Sequence, residues 1–190
     1  QRQSHSDIKR HIQTHLERSR HRLQRDELEL VKLHSLSESF ASPALLDTLD
    51  HFKNIGWVRH WGVTTYGLEA PLNAVEFPGH FAAVQVAFNA LDRDLETELF
   101  PHAKRQNIGI VIRSIFLQGI LSDRFSQLPI NLQPLQLAAD ALRDIALEAG
   151  LSLAALAFRF AAFHADINTA IFGTTSEKEL RENIDFYRQG

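Results

Sequence analysis

The feature that most constrains this chain is a repeated change of hydrophobic period. Segments with apolar residues at helical spacing alternate with short apolar, β-branched runs from one end to the other. Residues 6–24 carry Ile8, Ile12, Leu16 and Leu23 at roughly helical spacing, and Leu28–His34 ("LELVKLH") then reads as a strand. A helix over Pro43–Asn54 starts from Ser42 as cap, with the proline at its first position. "WVRHWGVTT" is the next strand, Glu69–Val75 a short helix, and Pro78-Gly79 a turn. "FAAVQVAF" is a third strand and "DLETELFPHAKRQ" a helix whose first turn Pro101 sets apart. The fourth strand, "IGIVIRSI", is apolar throughout, as in a sheet covered on both faces. After a loop with Pro129 and Pro134 come helices at 135–149 and 152–164, parted by Gly150. "INTAIFG" is the last strand and "SEKELRENIDFY" the last helix.

Most strand starts fall about 25 to 30 residues apart, the spacing of parallel β/α units and not of an antiparallel sandwich. The expectation is an α/β chain of five parallel β/α units, against the eight of a closed (β/α)8 barrel. In parallel α/β folds, chemistry sits at the carboxyl ends of the strands. Those ends carry His34, Thr64-Thr65, the run from Gln85 to Asn89, Arg113-Ser114 and Gly173-Thr174-Thr175. A polar group at the end of every strand points to a ligand site there.

Composition removes other classes. With no cysteine, disulfides, thiol catalysis and cysteine-ligated zinc are excluded, which fits a cytoplasmic setting. A formal net charge of -3 over 190 residues gives no general attraction to nucleic acid or to an anionic membrane surface. The apolar run "LSLAALAFRFAAF" is too short to span a bilayer and is broken by Arg159, and no signal peptide is evident. The first 25 residues are basic: Arg2, Lys9, Arg10, Arg18, Arg20, Arg22 and Arg25 stand against Asp7 and Glu17. Without interleaved aromatics this segment reads as a solvated helix, not as a nucleic-acid surface. No metal site is expected.

Five motifs in order carry a family resemblance. "RLQRDELELVKLH", "GWVRHWGVTTY", "AVQVAFNALDR", "NIGIVIRSIFLQGIL" and "IFGTTSEKELREN" resemble the successive strand-end motifs of the aldo-keto reductases. The match covers the carboxyl-terminal two-thirds of that barrel. It implies a single domain over 1–190 that lacks the first three β/α units, and NAD(P)H-dependent reduction of a small-molecule carbonyl substrate. Of the family's aspartate, tyrosine, lysine and histidine tetrad, only the histidine is matched, at His34. The chain alone is therefore expected not to reduce carbonyls, because the proton donor is missing.

The same resemblance implies a cofactor side. Thr64, Thr65 and Gln85 take the positions that hold the nicotinamide carboxamide, and Arg113 stands where an aromatic ring usually stacks. Ser114, Phe116, Leu117 and Gln118 follow the loop around the pyrophosphate and ribose. Thr174 and Thr175 match the phosphate-binding turn and Asn183 the adenine contact. Gly173 and Glu179 stand at two places where basic residues hold a 2′-phosphate, so NADP(H) and NAD(H) both stay open. The alternative is a non-catalytic nucleotide-binding or regulatory domain of the same fold. Exposed sheet edges imply self-association, or a partner chain that completes the barrel.

Four residues carry local expectations of their own. Ser176 and Glu179 fit an S-x-x-E capping box. Lys32 shares parity with Leu30 and His34, so it faces inward and needs either a polar partner or an open sheet. Arg20 replaces a usually apolar residue of the first helix, which suggests loose packing there.

Overall fold

The computed structural model describes residues 5–34, 42–77, 79–122, 124 and 128–190; Pro78, of the expected Pro-Gly turn, lies outside them. Five strands form one sheet in the order β1-β2-β3-β4-β5: Leu28–Leu33, Val58–Thr64, Ala83–Ala87, Gly109–Arg113 and Thr169–Ala170. The pairs β1–β2, β2–β3 and β4–β5 are parallel. A sequential parallel order is that of consecutive units of a (β/α)8 barrel. Among the described residues there are seven α-helices: α1 His5–Leu23, α2 Pro43–Asn54, α3 Glu69–Val75, α4 Leu99–Arg105, α5 Gln133–Glu148, α6 Leu153–Ala162 and α7 Glu177–Gln189. Contacts divide the chain into two compact units. The first comprises Gln1–Gln85 with His102–Gly109, the second Val86–Pro101 with Ile110–Gly190.

In the first unit α2 begins as expected: the Ser42 hydroxyl accepts from the Leu45 N–H at 3.2 Å, with Pro43 supplying a preset φ. Its apolar face buries Leu49 and Phe52 completely, beside the equally buried Val58 and Val63 of β2. Trp61 is 2% exposed, and its indole N–H donates to the Leu49 carbonyl at 2.9 Å, so the one polar atom of that large side chain is satisfied. α1 buries only Leu16. Arg20 is not a packing fault: its guanidinium lies 4.4 Å from the Trp57 ring centroid and donates to the Asp26 carbonyl at 2.6 Å. A stacked cation thus covers apolar surface in place of an aliphatic side chain.

The second unit packs α5 and α6 through Leu121, Ala139, Leu153 and Ala157. A separate aromatic cluster joins Phe88 to Phe100 at 5.0 Å and to Phe160 at 5.5 Å, with the His164 ring edge-on to both Phe88 and Phe100 at 5.4 Å. His164 keeps its polar edge satisfied, with Nε2 3.1 Å from the Glu96 carboxylate and Nδ1 accepting from the Asp166 N–H at 3.2 Å. Because Nδ1 accepts, Nε2 is the nitrogen that carries the proton toward Glu96.

Several expected elements are shorter in the structure, and two contract most. Regular helix in "DLETELFPHAKRQ" is confined to Leu99–Arg105, since Pro101 fits only a first turn. The last strand contracts from seven residues to Thr169–Ala170. There the Asn168 side chain accepts from the Ile110 N–H at 2.7 Å and takes the place of a backbone rung. Among the described residues, no single helix is long and apolar enough to cross a membrane.

Candidate functional site

The expected residues fall in two groups, one in each unit. In the first, His34 directly follows β1 and is exposed. It lies one position beyond the Leu33–Val63 pair, as Thr64 does on β2. Thr64 stands opposite Gln85 in the β2–β3 register, and the Thr65 N–H donates to the Gln85 carbonyl at 3.0 Å. Thr64, Thr65 and Gln85 are 3%, 0% and 8% exposed, so their hydroxyls and amide are oriented by packing instead of sweeping through solvent. The structure therefore brings these three together, Thr64 and Thr65 at the end of β2 and Gln85 in the middle of β3.

Lys32 resolves its own question by reaching a polar partner. Its Nζ donates to Gln85 Oε1, across the intervening β2 strand. Burial holds the Lys32 ammonium below the usual lysine range, because desolvation penalises the charged form.

In the second unit the chain leaves β4 through a tight turn. Ser114, Leu117 and Gln118 all take positive φ, at 63°, 45° and 56°, followed by Gly119 at 94°. Non-glycine residues adopt that region only where surrounding bonds hold them, and such strain gathers at functional loops. Here the Asn89 side-chain amide donates to the Ser114 carbonyl at 3.2 Å, and the Leu117 N–H to the same carbonyl at 2.9 Å. The Arg113 guanidinium donates to the Ser114 hydroxyl at 3.3 Å.

This loop lines one side of a cavity of about 550 Å³. Ser114, Phe116 and Gln118 face it from the loop, Thr174 from the turn after β5, and Asn183 and Glu179 from α7. Asn183 is the buried residue of α7, at 6% exposure. Arg113, Leu117 and Thr175 do not line the cavity; Leu117 sets the turn, and Thr175 is exposed to solvent.

The capping box is only half formed. Ser176 accepts from the Glu179 N–H at 3.3 Å, as a helix cap should, but the Ser176 N–H donates to the Thr174 hydroxyl at 3.0 Å. The Glu179 carboxylate goes elsewhere, to the Thr174 hydroxyl and to Arg124, whose Nε donates at 3.0 Å. Those bonds, Thr174 first and Arg124 second, hold the Glu179 carboxyl below the usual carboxylate range. Arg124 was invisible to sequence reasoning, since nothing in its spacing joins it to a glutamate 55 positions away. The other cavity cation, Lys178, lies 3.7 Å from Glu182. Among the described residues, each cation facing the cavity is thus matched by a carboxylate.

Comparison with known proteins gives one family and one fold. The Aldo/keto reductase family model matches residues 1–189. A probable voltage-gated potassium channel subunit beta from Arabidopsis thaliana is 24% identical over 200 residues, which is 93% of this chain and 61% of that protein. Pyridoxal 4-dehydrogenase from Microbacterium luteolum is 28% identical over 107 residues, 54% of this chain and 31% of that one. Among solved structures, the holo form of an aldo-keto reductase from Bacillus halodurans superposes with a TM-score of 0.79 at 22% identity, covering 96% of this chain and 62% of that one. A glycerol dehydrogenase from Gluconobacter oxydans gives a TM-score of 0.68 at 19% identity, covering 95% and 64%. The chain spans less than two thirds of the length of each of these relatives.

Proposed function

This chain belongs to the aldo-keto reductase family, and on that premise we propose that its residues hold a nicotinamide dinucleotide for the reduction of a carbonyl compound. The observation that carries this reading is the cavity of about 550 Å³, within the range of small-molecule sites. Ser114, Phe116, Gln118, Thr174 and Asn183 line it, five of the residues that the strand-end motifs assign to cofactor. When bound, the dinucleotide supplies a hydride.

The protein's part is positional. Thr64 and Gln85 offer a hydroxyl and an amide to the carboxamide, and Thr65, fully buried, positions them through its N–H to the Gln85 carbonyl. The strained loop from Ser114 to Gly119 shapes the wall for the phosphates and ribose. Asn183 offers an amide to the adenine. His34 orients the substrate carbonyl by a hydrogen bond at its oxygen. Of the family's four catalytic groups His34 is the one matched in this chain, so binding and turnover separate: the 190 residues bind and do not reduce.

The charges favour NAD(H). A 2′-phosphate needs an unmatched cation, whereas Arg124 is engaged by Glu179 and Lys178 lies beside Glu182. A carboxylate at this place suits a ribose 2′-hydroxyl, as it does in other dinucleotide folds. Titration with NADH and NADPH tests the reading directly. NADH is expected to bind more tightly, and Glu179→Lys to shift the preference toward NADPH. Binding of neither dinucleotide refutes the proposal.

A second reading keeps the fold and gives up chemistry. Two relatives are named as probable voltage-gated potassium channel beta subunits, and likeness to such subunits favours a nucleotide-binding regulatory domain. Joining three β/α units ahead of this chain discriminates the two. Aldehyde-dependent oxidation of NADH that falls with His34→Ala supports the enzyme. Dinucleotide binding without turnover supports the regulatory domain.

A further inference from the structure

Lys32 is the charge that the proposed chemistry has not used. It lies on the same face of β1 as Leu30 and His34, and among the described residues no carboxylate pairs with it. Its route across the sheet is built in. Lys32 stands opposite Gly62 on β2, and a Cβ at Gly62 would lie only 3.2 Å from Lys32 Cγ. The missing side chain leaves the lysine stem room to cross β2 and reach Gln85 on β3. An ammonium has donors only, so the atom it meets must be the amide oxygen. That fixes the Gln85 amide in one orientation, with Oε1 toward Lys32 and the NH₂ end left for a ligand. Gln85 is 8% exposed, which confines the amide further.

We infer that Lys32 is a positioning and redox-state-selecting residue: it presents Gln85 as a donor to the carboxamide oxygen, and its ammonium disfavours the oxidised, cationic nicotinamide relative to the neutral reduced ring. This rests on the reading of Gln85 as a carboxamide contact. The physical basis is a like-charge term that acts on one redox form only. One ammonium stands behind one amide, so two hydrogen bonds, the Gln85 amide and the ligand carboxamide separate it from the ring, about 10 Å in all. At that distance, with the moderate dielectric of a partly buried site, unit like charges change an affinity ratio by about tenfold or more. Neutral, reduced ligand feels the orientation of Gln85 but not the charge.

The two effects separate experimentally. Lys32→Gln keeps an N–H donor for Gln85 Oε1 and removes the charge, Lys32→Arg keeps both, and Lys32→Met removes both. Dissociation constants for NADH and NAD⁺ are measured on the 190-residue chain by ligand-observed NMR, with thermal melts to establish that each variant is folded. The expected result is a wild-type preference for NADH that Lys32→Arg retains. Lys32→Gln lowers the ratio about tenfold with little change for NADH, and Lys32→Met lowers the ratio while also weakening NADH. If Lys32→Met fails to fold, Lys32→Gln decides alone. A wild-type chain that binds both forms, with a ratio unmoved in Lys32→Gln, overturns the role of Lys32 and leaves the dinucleotide site standing. A wild-type chain that binds neither form overturns both.

Discussion

Gly62→Ala should be among the most destabilising one-carbon changes in this chain. Gly62 sits in β2 between Lys32 on β1 and Ala83 on β3. A Cβ there would lie 2.8 Å from the Ala83 carbonyl oxygen, 3.2 Å from Lys32 Cγ and 3.4 Å from Leu30 Cδ1. The two side chains can give way; the carbonyl cannot move without its strand. Relief requires β2 and β3 to part by a few tenths of an ångström. The bonds that resist are close by: Ala82 N–H to the Trp61 carbonyl at 2.7 Å, and Thr65 N–H to the Gln85 carbonyl at 3.0 Å. Overpacking of this kind costs about 1 to 3 kcal/mol. For a chain of this length each kcal/mol lowers Tm by about 2 to 4 °C, so a fall of about 2 to 12 °C is expected. Gly173→Ala is the internal control, because nothing lies within 4 Å of its Cβ position and its φ is not left-handed. It should be neutral, or more stable by up to about 1 kcal/mol through loss of unfolded-state freedom. Thermal melts and urea titrations with a common m-value read both variants. Equal melting of Gly62→Ala and wild type, or equal losses in the two variants, would refute the packing argument.

Three further outcomes follow from the geometry. Trp61→Phe removes the indole N–H that donates to the Leu49 carbonyl and leaves part of a buried indole site empty, so urea unfolding should show a loss of about 1 to 3 kcal/mol. The Glu179 carboxyl lies below the usual range in the folded chain, so its link to Thr174 and Arg124 stabilises above the ordinary glutamate pKa of about 4.3 and is lost as pH falls through the folded value. The Tm difference between wild type and Glu179→Gln should accordingly be present at neutral pH and vanish in acid. β1 ends the sheet order with Leu30 43% exposed, so sedimentation should show self-association that Leu30→Lys reduces; a monomeric wild type removes this expectation.

What could be read in advance was whatever depended on local pattern. α2 falls where capping and periodicity put it, because Ser42, Pro43 and the apolar spacing act within a few residues of one another, and α3 falls over the expected Glu69–Val75 without a side-chain cap. Two strand ends were legible for the same reason: a β-branched run must stop somewhere, and Thr64 ends β2 while Ser114 follows β4; Gln85, expected at such a stop, is instead the central residue of β3. Pairings across long sequence separations were not legible. Glu179 had an acceptable local partner in Ser176, yet its carboxylate is taken by Arg124 from another loop and by Thr174. Asn168 offered no sign that its side chain would replace a strand rung. Lys32 showed that it needed a partner but not which, since Gln85 lies 53 positions away.

The two-residue strand β5 has a consequence for how the second unit comes apart. Beyond the Thr169–Val111 and Ala170–Ile112 pairing, the chain is tethered to β4 through Asn168 N–H to the Ile110 carbonyl, Ile110 N–H to the Asn168 side chain, and Ile171 N–H to the Ile112 carbonyl. Everything that follows, including Thr174 and the Asn183 amide, is held by those few rungs, by the packing of α7 on α6, by the Arg124–Glu179 bonds and by Phe172 against Phe116 and Phe158. Such a segment is a natural unit of local unfolding, opening at a free energy well below that of the whole chain. The cavity draws one wall from this detachable segment and the other from the loop after β4, so an occupant touching both would act as a cross-link. Its arrival should be visible far from any chemistry, as slowed hydrogen exchange at the Ile171 amide.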